Sequence, residues 1–261
     1  MTDHKQAERE KARRMQPGSP EFESYLTRPF TPHNGYKGGL EFGLEKIINF
    51  CALLRTLPLR DGAEILDVGV GGGWTSDWLA QWGFHVTAVD IAFEHMVIAQ
   101  RRATDLGNQF FCTTQADAEM LPFASESFDA VLFYDALHHC PSYNSALKES
   151  FRVLRCGGWF AASEPTLAHK SKHQDYTLET GIHEGGFDPL ALRQELLQLG
   201  FRRCYLRTKP YLHYAYRPPR PLERAGLKLA GLSLDFFLRL ISPITFFIEL
   251  YRYGFQVSAQ K

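Results

Sequence analysis

The 261-residue sequence has no C-x-x-C pair, and its five cysteines (51, 112, 140, 156 and 204) are scattered and odd in number. That excludes a disulfide framework and a cysteine-based metal site, so the thiols are expected to be reduced and no metal is expected. No secretory leader is expected either, because the first twenty residues are charged and carry no apolar core. Internal repeats are absent. The formal net charge is zero, with 29 Lys/Arg against 29 Asp/Glu, yet residues 200–261 hold 11 basic and 3 acidic side chains. A basic end suits an anionic partner or a membrane surface and also has blander causes. The expected location is the cytoplasm, with peripheral membrane contact left open, and no nucleic-acid partner is expected.

What is present is a 44% apolar fraction on a length that buries a full core in one elaborated domain. The chain is organised around Glu64-Ile-Leu-Asp-Val-Gly-Val-Gly-Gly-Gly-Trp-Thr75. Ile65, Leu66 and Val68 read as a short buried strand, glycines 69, 71, 72 and 73 as a turn, and the stretch from Thr75 through Trp82 as a helix. Such a turn lets backbone approach a ligand, and the helix start offers free N–H groups to polar ligand atoms. Alternation follows: strands at 85–91, 109–113, 128–134, 157–163 and 201–208, and helices at about 41–56, 93–106, 142–155 and 189–199. This spacing predicts an α/β doubly wound, mostly parallel sheet with helices on both faces.

Open parallel sheets bind ligands at the carboxyl ends of their strands. Asp90 closes the second strand about twenty residues after the glycines, where a carboxylate accepts from both ribose hydroxyls. Asp117 follows the third strand and is either an acceptor for an exocyclic adenine amine or a surface turn acid. A nicotinamide-dependent oxidoreductase is the alternative, but its G-x-G-x-x-G spacing needs glycine where Trp74 stands.

Six segments occur in order: Asp67-Val-Gly69-x-Gly71-x-Gly73, Val89-Asp90, Asp117-Ala118-x-x-Leu121-Pro122-Phe123, Phe128-Asp129-x-Val131, Ala136-Leu137-His138-His139, and Arg152-Val-Leu-Arg-Cys-Gly157-Gly158. Over about residues 60–163 the chain resembles the class I S-adenosylmethionine-dependent methyltransferases, in the branch similar to ubiquinone/menaquinone-biosynthesis enzymes. Cys156 departs from the proline usual there, and Trp74 begins the helix. The resemblance implies a seven-stranded Rossmann-like sheet and S-adenosylmethionine as cofactor. It assigns Asp67 and glycines 69, 71 and 73 to the methionine end, Asp90 to the ribose, and Asp117 with Ala118 to the adenine. Ile91, Tyr134 and Asp135 complete the expected cofactor set. A catalytically inactive binding protein of the same family is a further alternative.

A sulfonium methyl is already activated, so such a protein mainly aligns an acceptor and excludes water. A general base helps when the acceptor is a hydroxyl, and methyl transfer to oxygen is the expected outcome. His138, just past the fourth strand, is the candidate base or acceptor contact, and packing is its alternative. His139 and His183 are weaker candidates. Glu184 and Tyr36 join His138 as expected acceptor contacts.

Two regions lie outside the repeating pattern. Residues 1–20 are expected to be a frayed helix or disordered tail, and 25–39 a lid or a plain linker, giving an N-terminal unit at 1–40. The cofactor domain is expected at 41–208 and an antiparallel final strand at 253–261. Residues 209–252 would then be a helical insertion, with narrow polar stripes (Lys228, Asp235, Arg239, Ser242; then Thr245, Glu249, Arg252) on apolar helices. Three readings stand: packing on the core or, through 225–253, on a second subunit; a cap over a small, partly hydrophobic or lipid-like acceptor; or a membrane-interface helix helped by Arg217, Arg220, Arg224 and Lys228. The longest charge-free run there, Leu240–Ile248, is too short to span a bilayer.

Overall fold

The computed structural model describes residues 3–29, 39–105, 107, 111–172, 174–209 and 254–261. Its strands are β1 (Glu64–Val68), β2 (His85–Asp90), β3 (Phe111–Gln115), β4 (Phe128–Tyr134), β5 (Leu154–Glu164), β6 (Arg203–Thr208) and β7 (Phe255–Gln260). They form one seven-stranded sheet in the order β3-β2-β1-β4-β5-β7-β6, with β7 antiparallel to both neighbours and the first five strands parallel. The order reverses between β1 and β4. A crevice therefore opens at the carboxyl ends of those two strands.

The two faces of the sheet are read directly from the alternation of side chains along each strand. Ile65, Ala130 and Leu132 point to one face, where they pack with Phe50, Leu53, Leu79 and Met96. Those partners lie on the helices α3 (Gly39–Leu54), α4 (Trp74–Gln81) and α5 (Phe93–Asp105). Leu66, Val131 and Phe133 point to the other face, against Leu147, Leu192 and Leu196. These come from α6 (Tyr143–Val153) and α9 (Pro189–Leu199). Because both faces are covered, the central strands read as continuous apolar runs rather than as alternating ones. Phe255 through Ala259 are buried for the same reason, β7 being an interior strand.

The amino-terminal region, expected as a frayed helix or a disordered tail, holds two helices. Helices α1 (His4–Ala12) and α2 (Pro20–Leu26) are both capped, α1 by the Asp3 carboxylate accepting from Lys5 and Gln6 N–H, α2 by Ser19 accepting from Phe22 N–H with Pro20 at its first turn. Met15, Phe22 and Tyr25 bury themselves against Ile98 of α5. Ser19-Pro20 is thus a helix start rather than the end of a flexible segment. The buried Arg102 guanidinium fastens this unit to the glycine turn, donating to the carbonyls of Gly72 (3.0 Å), Tyr25 (3.1 Å), Leu26 and Arg28 (3.1 Å).

Other differences are local. β3 runs two residues past its expected end, since Thr114 and the exposed Gln115 continue the pairing with β2. The stretch after β5 holds two short helices, α7 (Leu167–Lys172) and α8 (Gln174–Thr180), with no strong apolar period to announce them. Residues 30–38 of the expected lid at 25–39, Tyr36 among them, and residues 210–252 of the expected helical insertion, with its dimer or membrane surface, lie outside the described residues. The ends of the latter meet: a Cβ on Gly254 would stand 3.0 Å from Lys209 Cε. Among the described residues, no helix is long and apolar enough to cross a membrane.

The roof formed by α2 is tested at Gly72, whose φ is ordinary but whose added Cβ would stand 2.5 Å from the Tyr25 carbonyl oxygen. Gly72→Ala is expected to cost about 1–3 kcal/mol, the usual penalty of overpacking. Hydrogen exchange at 20–29 should accelerate while the sheet amides keep their protection. Unchanged exchange at α2 would contradict its packing on the turn.

Candidate functional site

β1 ends in a turn that only glycine permits at its closest point. A Cβ on Gly69, whose φ is +73°, would stand 2.5 Å from Ala136 Cβ. The turn is tied to β2 by Gly69 N–H to Val89 O (2.8 Å) and by Gly71 N–H to Asp90 Oδ2 (2.9 Å). Asp90 Oδ1 accepts from Ala92 N–H (3.0 Å) and lies 3.1 Å from His95 Nδ1. Burial would raise the Asp90 pKa, but His95 and the two backbone N–H groups outweigh it and hold the carboxylate below its ordinary value.

Asp67 and Gly73 were expected at the methionine end of the cofactor. Neither lines the cavity described below. Asp67 is 1% exposed, and its Oδ2 accepts from Thr75 Oγ1 (2.6 Å) and Ser76 Oγ (2.7 Å), so it fastens the start of α4 from behind the turn. Gly73 is where a side chain would strike Ala99 of α5, at 2.7 Å. Burial pushes Asp67 up to about 6, against the two hydroxyl donors.

A cavity of about 670 Å³ opens at the crevice, a volume usual for small-molecule sites. Gly69, Gly71, Asp90, Ile91, Asp117, Ala118, Tyr134 and Asp135, expected as cofactor contacts, all line it. Tyr25 covers the glycine turn, stacked on His95 at 5.2 Å with the Arg28 guanidinium 3.8 Å from its ring. Asp117 receives Lys5 Nζ from α1 at 2.8 Å, and Glu119 receives it at 2.5 Å. At the end of β4, Asp135 adopts a left-handed φ of +50° and pairs with Lys46 and with Lys209 (2.8 Å). Burial opposes its charge, but the two ammonium groups hold its pKa well below the usual carboxylate range. Tyr134 donates to the Lys46 carbonyl at 2.8 Å.

The opposite wall is a cluster of histidines and glutamates. The 3₁₀ turn Leu137–His139 hangs from Glu164, whose carboxylate accepts from the backbone N–H of Ala136 (3.1 Å), Leu137 (2.9 Å) and His138 (3.3 Å). His138 Nδ1 lies 2.7 Å from Glu164 Oε2, and its Nε2 lies 3.7 Å from Glu184 Oε2. Burial pushes His138 down to about 3, so its imidazole is neutral at physiological pH. Burial pushes Glu164 up to about 7, with the neighbouring Asp135 charge adding to it and the Leu137 and Ala136 N–H groups opposing.

Glu184 reaches this wall because Gly185 and Gly186 let their loop lie flat. Gly185 N–H donates to His138 O at 2.9 Å, and Cβ atoms would meet His138 O at 2.6 Å and Thr166 O at 2.3 Å. His169 Nε2 lies 2.9 Å from Glu184 Oε2. Burial opposes the Glu184 charge, but His169, His139 and His138 hold it down at about 2. His139 lines the cavity with its Nδ1 3.0 Å from the His183 carbonyl. The His183 ring itself packs edge-on against His4 and is not among the cavity-lining residues, so it contributes through its backbone.

Sequence reasoning missed Glu164, His169, Lys46, Lys209, Tyr25 and His95. Glu164 alone carried a signal, as a lone charge closing a buried apolar strand. The others arrive from segments whose local pattern says nothing about the crevice.

Comparison with known proteins agrees with this architecture. Residues 66–162 match the family model described as a methyltransferase domain. The chain is 34% identical over 158 residues to the malonyl-[acyl-carrier protein] O-methyltransferase of Erwinia billingiae, covering 54% of this chain and 60% of that protein. It is 36% identical over 104 residues to the ubiquinone biosynthesis O-methyltransferase of Xylella fastidiosa, covering 40% and 42%. The chain thus spans less than two thirds of either relative. In fold it is similar to the phosphoethanolamine N-methyltransferase 2 of Haemonchus contortus in complex with S-adenosyl-L-methionine, with a TM-score of 0.61 at 18% identity, over 94% of this chain and 60% of that one.

The Asp67 carboxylate gives a signed pH test. Its folded pKa lies above the unfolded value, so the folded state binds the proton more tightly. Its charge therefore destabilises the fold increasingly as pH rises from about 4 to about 6, and by a constant amount above. Against wild type, Asp67→Asn should gain up to about 3 kcal/mol across that window, by conversion of the pKa difference. Urea titrations at pH 4, 5, 6 and 7 measure it, and a difference independent of pH would refute the assignment.

Proposed function

We propose, from the match of residues 66–162 to the methyltransferase domain model, that this chain binds S-adenosylmethionine and directs methyl transfer to an oxygen of a small, partly hydrophobic acceptor. The observation that carries the reading is a single cavity with the glycine turn and Asp90 on one side and His138 with Glu184 on the other. The residues fit the cofactor. Backbone at Gly69 and Gly71 is bare where a ligand would lie against it. The Asp90 Oδ2 atom accepts from Gly71 N–H and keeps a second lone pair for a ribose hydroxyl. Asp117 and Ala118 suit the adenine end, with Lys5 sharing the Asp117 carboxylate.

When bound, the cofactor supplies a sulfonium methyl that a nucleophile takes without further activation. What remains for the protein is alignment and exclusion of water. Tyr25 and Arg28 roof the glycine turn, and Phe42, Trp74, Phe133, Tyr134 and Pro165 give an apolar wall. Lys209 lines the cavity and lies beside Gly254, and the sequence that joins the two, 210–253, is rich in Leu, Ile and Phe. Both features support an acceptor with a substantial apolar portion, and a lipid-like compound suits them. An acceptor hydroxyl between His138 Nε2 and Glu184 Oε2 meets a neutral imidazole and an ionised carboxylate, two groups able to hold its proton.

S-adenosylhomocysteine is expected to raise the melting temperature, since a ligand preferring the folded state stabilises it by mass action, and NADH is expected to leave it unchanged. Asp90→Ala should weaken that binding by about 1–3 kcal/mol, the usual loss for bonds to a charged group. Glu184→Gln should instead lower turnover of a hydroxyl acceptor by roughly 10²–10⁴-fold at near-normal cofactor affinity. Calorimetry showing tight NADH binding and no response to S-adenosylhomocysteine would overturn the reading.

A further inference from the structure

We propose that His138, His139 and Glu184 bind one divalent transition-metal ion of the zinc class on the acceptor wall of the cavity. This runs against the expectation of no metal, which rested on the cysteines, and it rests on the methyl-transfer reading only for the role given to the ion.

Three donor atoms, one from each residue, lie within 4.8 Å of one another. His138 Nε2 and Glu184 Oε2 stand 3.7 Å apart, close to the roughly 3.4 Å that a tetrahedral site with bonds of about 2.1 Å requires. The widest pair needs to close by at most about 1.4 Å to reach that geometry, a movement of the scale that side-chain rotation supplies. The lone pairs are also aimed. With Glu164 ionised, its Oε2 accepts from His138 Nδ1–H at 2.7 Å, and the His183 carbonyl accepts from His139 Nδ1–H at 3.0 Å. Each bond fixes a tautomer in which Nε2 carries the lone pair. A carboxylate or carbonyl behind each imidazole is the outer shell that orients metal-ligating histidines.

That outer shell is itself rigid. Glu164 is fully buried and held by three backbone N–H groups, and Glu184 is positioned by His169 Nε2 at 2.9 Å. Two imidazoles and one carboxylate match the three-ligand sets of catalytic zinc, whereas magnesium and calcium prefer all-oxygen sites. All three ligands line the cavity, so the coordination positions they leave open face the acceptor.

The arrangement narrows the acceptor to a molecule whose hydroxyl ligates the ion. With the ion bound, the His138 lone pair would be engaged by the metal rather than by the hydroxyl proton; coordination would lower the hydroxyl pKa, and its proton would pass to solvent. The resulting oxyanion forms the O–C bond with the methyl carbon as the C–S bond breaks and sulfur keeps that electron pair. No oxidant or reductant is needed.

The test uses the full chain after exhaustive chelation and dialysis. Cobalt(II), added as a spectroscopic probe, should develop the intense visible bands of a four- or five-coordinate site at one equivalent. Zinc should abolish them at one equivalent. His139→Gln and Glu184→Gln should each weaken cobalt binding at least tenfold, and Glu164→Gln, which touches no metal, by about 10–100-fold. The melting-temperature rise with S-adenosylhomocysteine should persist in the chelated protein and in the His139 and Glu184 variants, which reports that they are folded. Absence of a stoichiometric cobalt spectrum, or one unchanged in both ligand variants, overturns the site while leaving the methyl-transfer reading intact. Cobalt binding in a protein that ignores S-adenosylhomocysteine supports the site and overturns its role in methyl transfer.

Discussion

Three backbone N–H groups and one imidazole converge on the carboxylate of Glu164 at the end of β5. A carboxylate with no solvent access is costly unless its lone pairs are filled, and here the strand end of β4 fills them. The consequence is geometric. The turn after β4 cannot swing away from β5, so Ala136 stays against Gly69 and His138 stays in the cavity wall. Both halves of the crevice, the glycine turn from β1 and the histidine turn from β4, take their separation from this bond set.

Charge in the cavity is handled by local pairing. Asp135 holds two ammonium groups, Asp117 and Glu119 share a third, and Glu184 sits among His138, His139 and His169. Partly buried ion pairs of this kind contribute less to net stability than to position, because desolvation and solvent screening offset most of their Coulomb energy. Removal of one member leaves the other unpaired in a site of low polarisability. The lysines at 46 and 209 therefore act on the shape of the β4 end, where a non-glycine residue is kept in a left-handed conformation.

The amino-terminal helices close the other side. Their apolar contact with α5 is small, a cluster of Met15, Phe22 and Tyr25 around Ile98, and much of the attachment is polar. Arg102 donates to four carbonyls spread over the glycine turn and the end of α2, so the turn and its roof are one unit. Elements held by few apolar contacts open at lower free energy than the sheet does. That property suits a segment lying over a site that ligands must enter.

Much of the fold was legible in residues 60–163, where strand and helix periods are regular and each is set by neighbours within a few positions. The glycine turn, Asp90, Asp117 and His138 were legible for the same reason, since each follows a strand end at a fixed short distance. Asp67 shows the limit. Its place in the motif was plain, but whether its carboxylate faces the ligand or Thr75 and Ser76 depends on the side-chain direction at the start of α4. The histidine–glutamate wall was legible in part: His138, His139 and Glu184 were named as candidates, whereas Glu164 and His169, which hold them in place, were not. His138, Glu164, His169 and Glu184 lie on four segments, and only the pairing of β4 with β5 and the glycine-bared loop at 185–186 bring them together. Within residues 60–163 sequence by itself determined the strands, the helices and the crevice, because periodicity and turn chemistry act between neighbours. Tertiary structure decided which polar atoms meet there, because hydrogen bonds between distant segments leave no period to read.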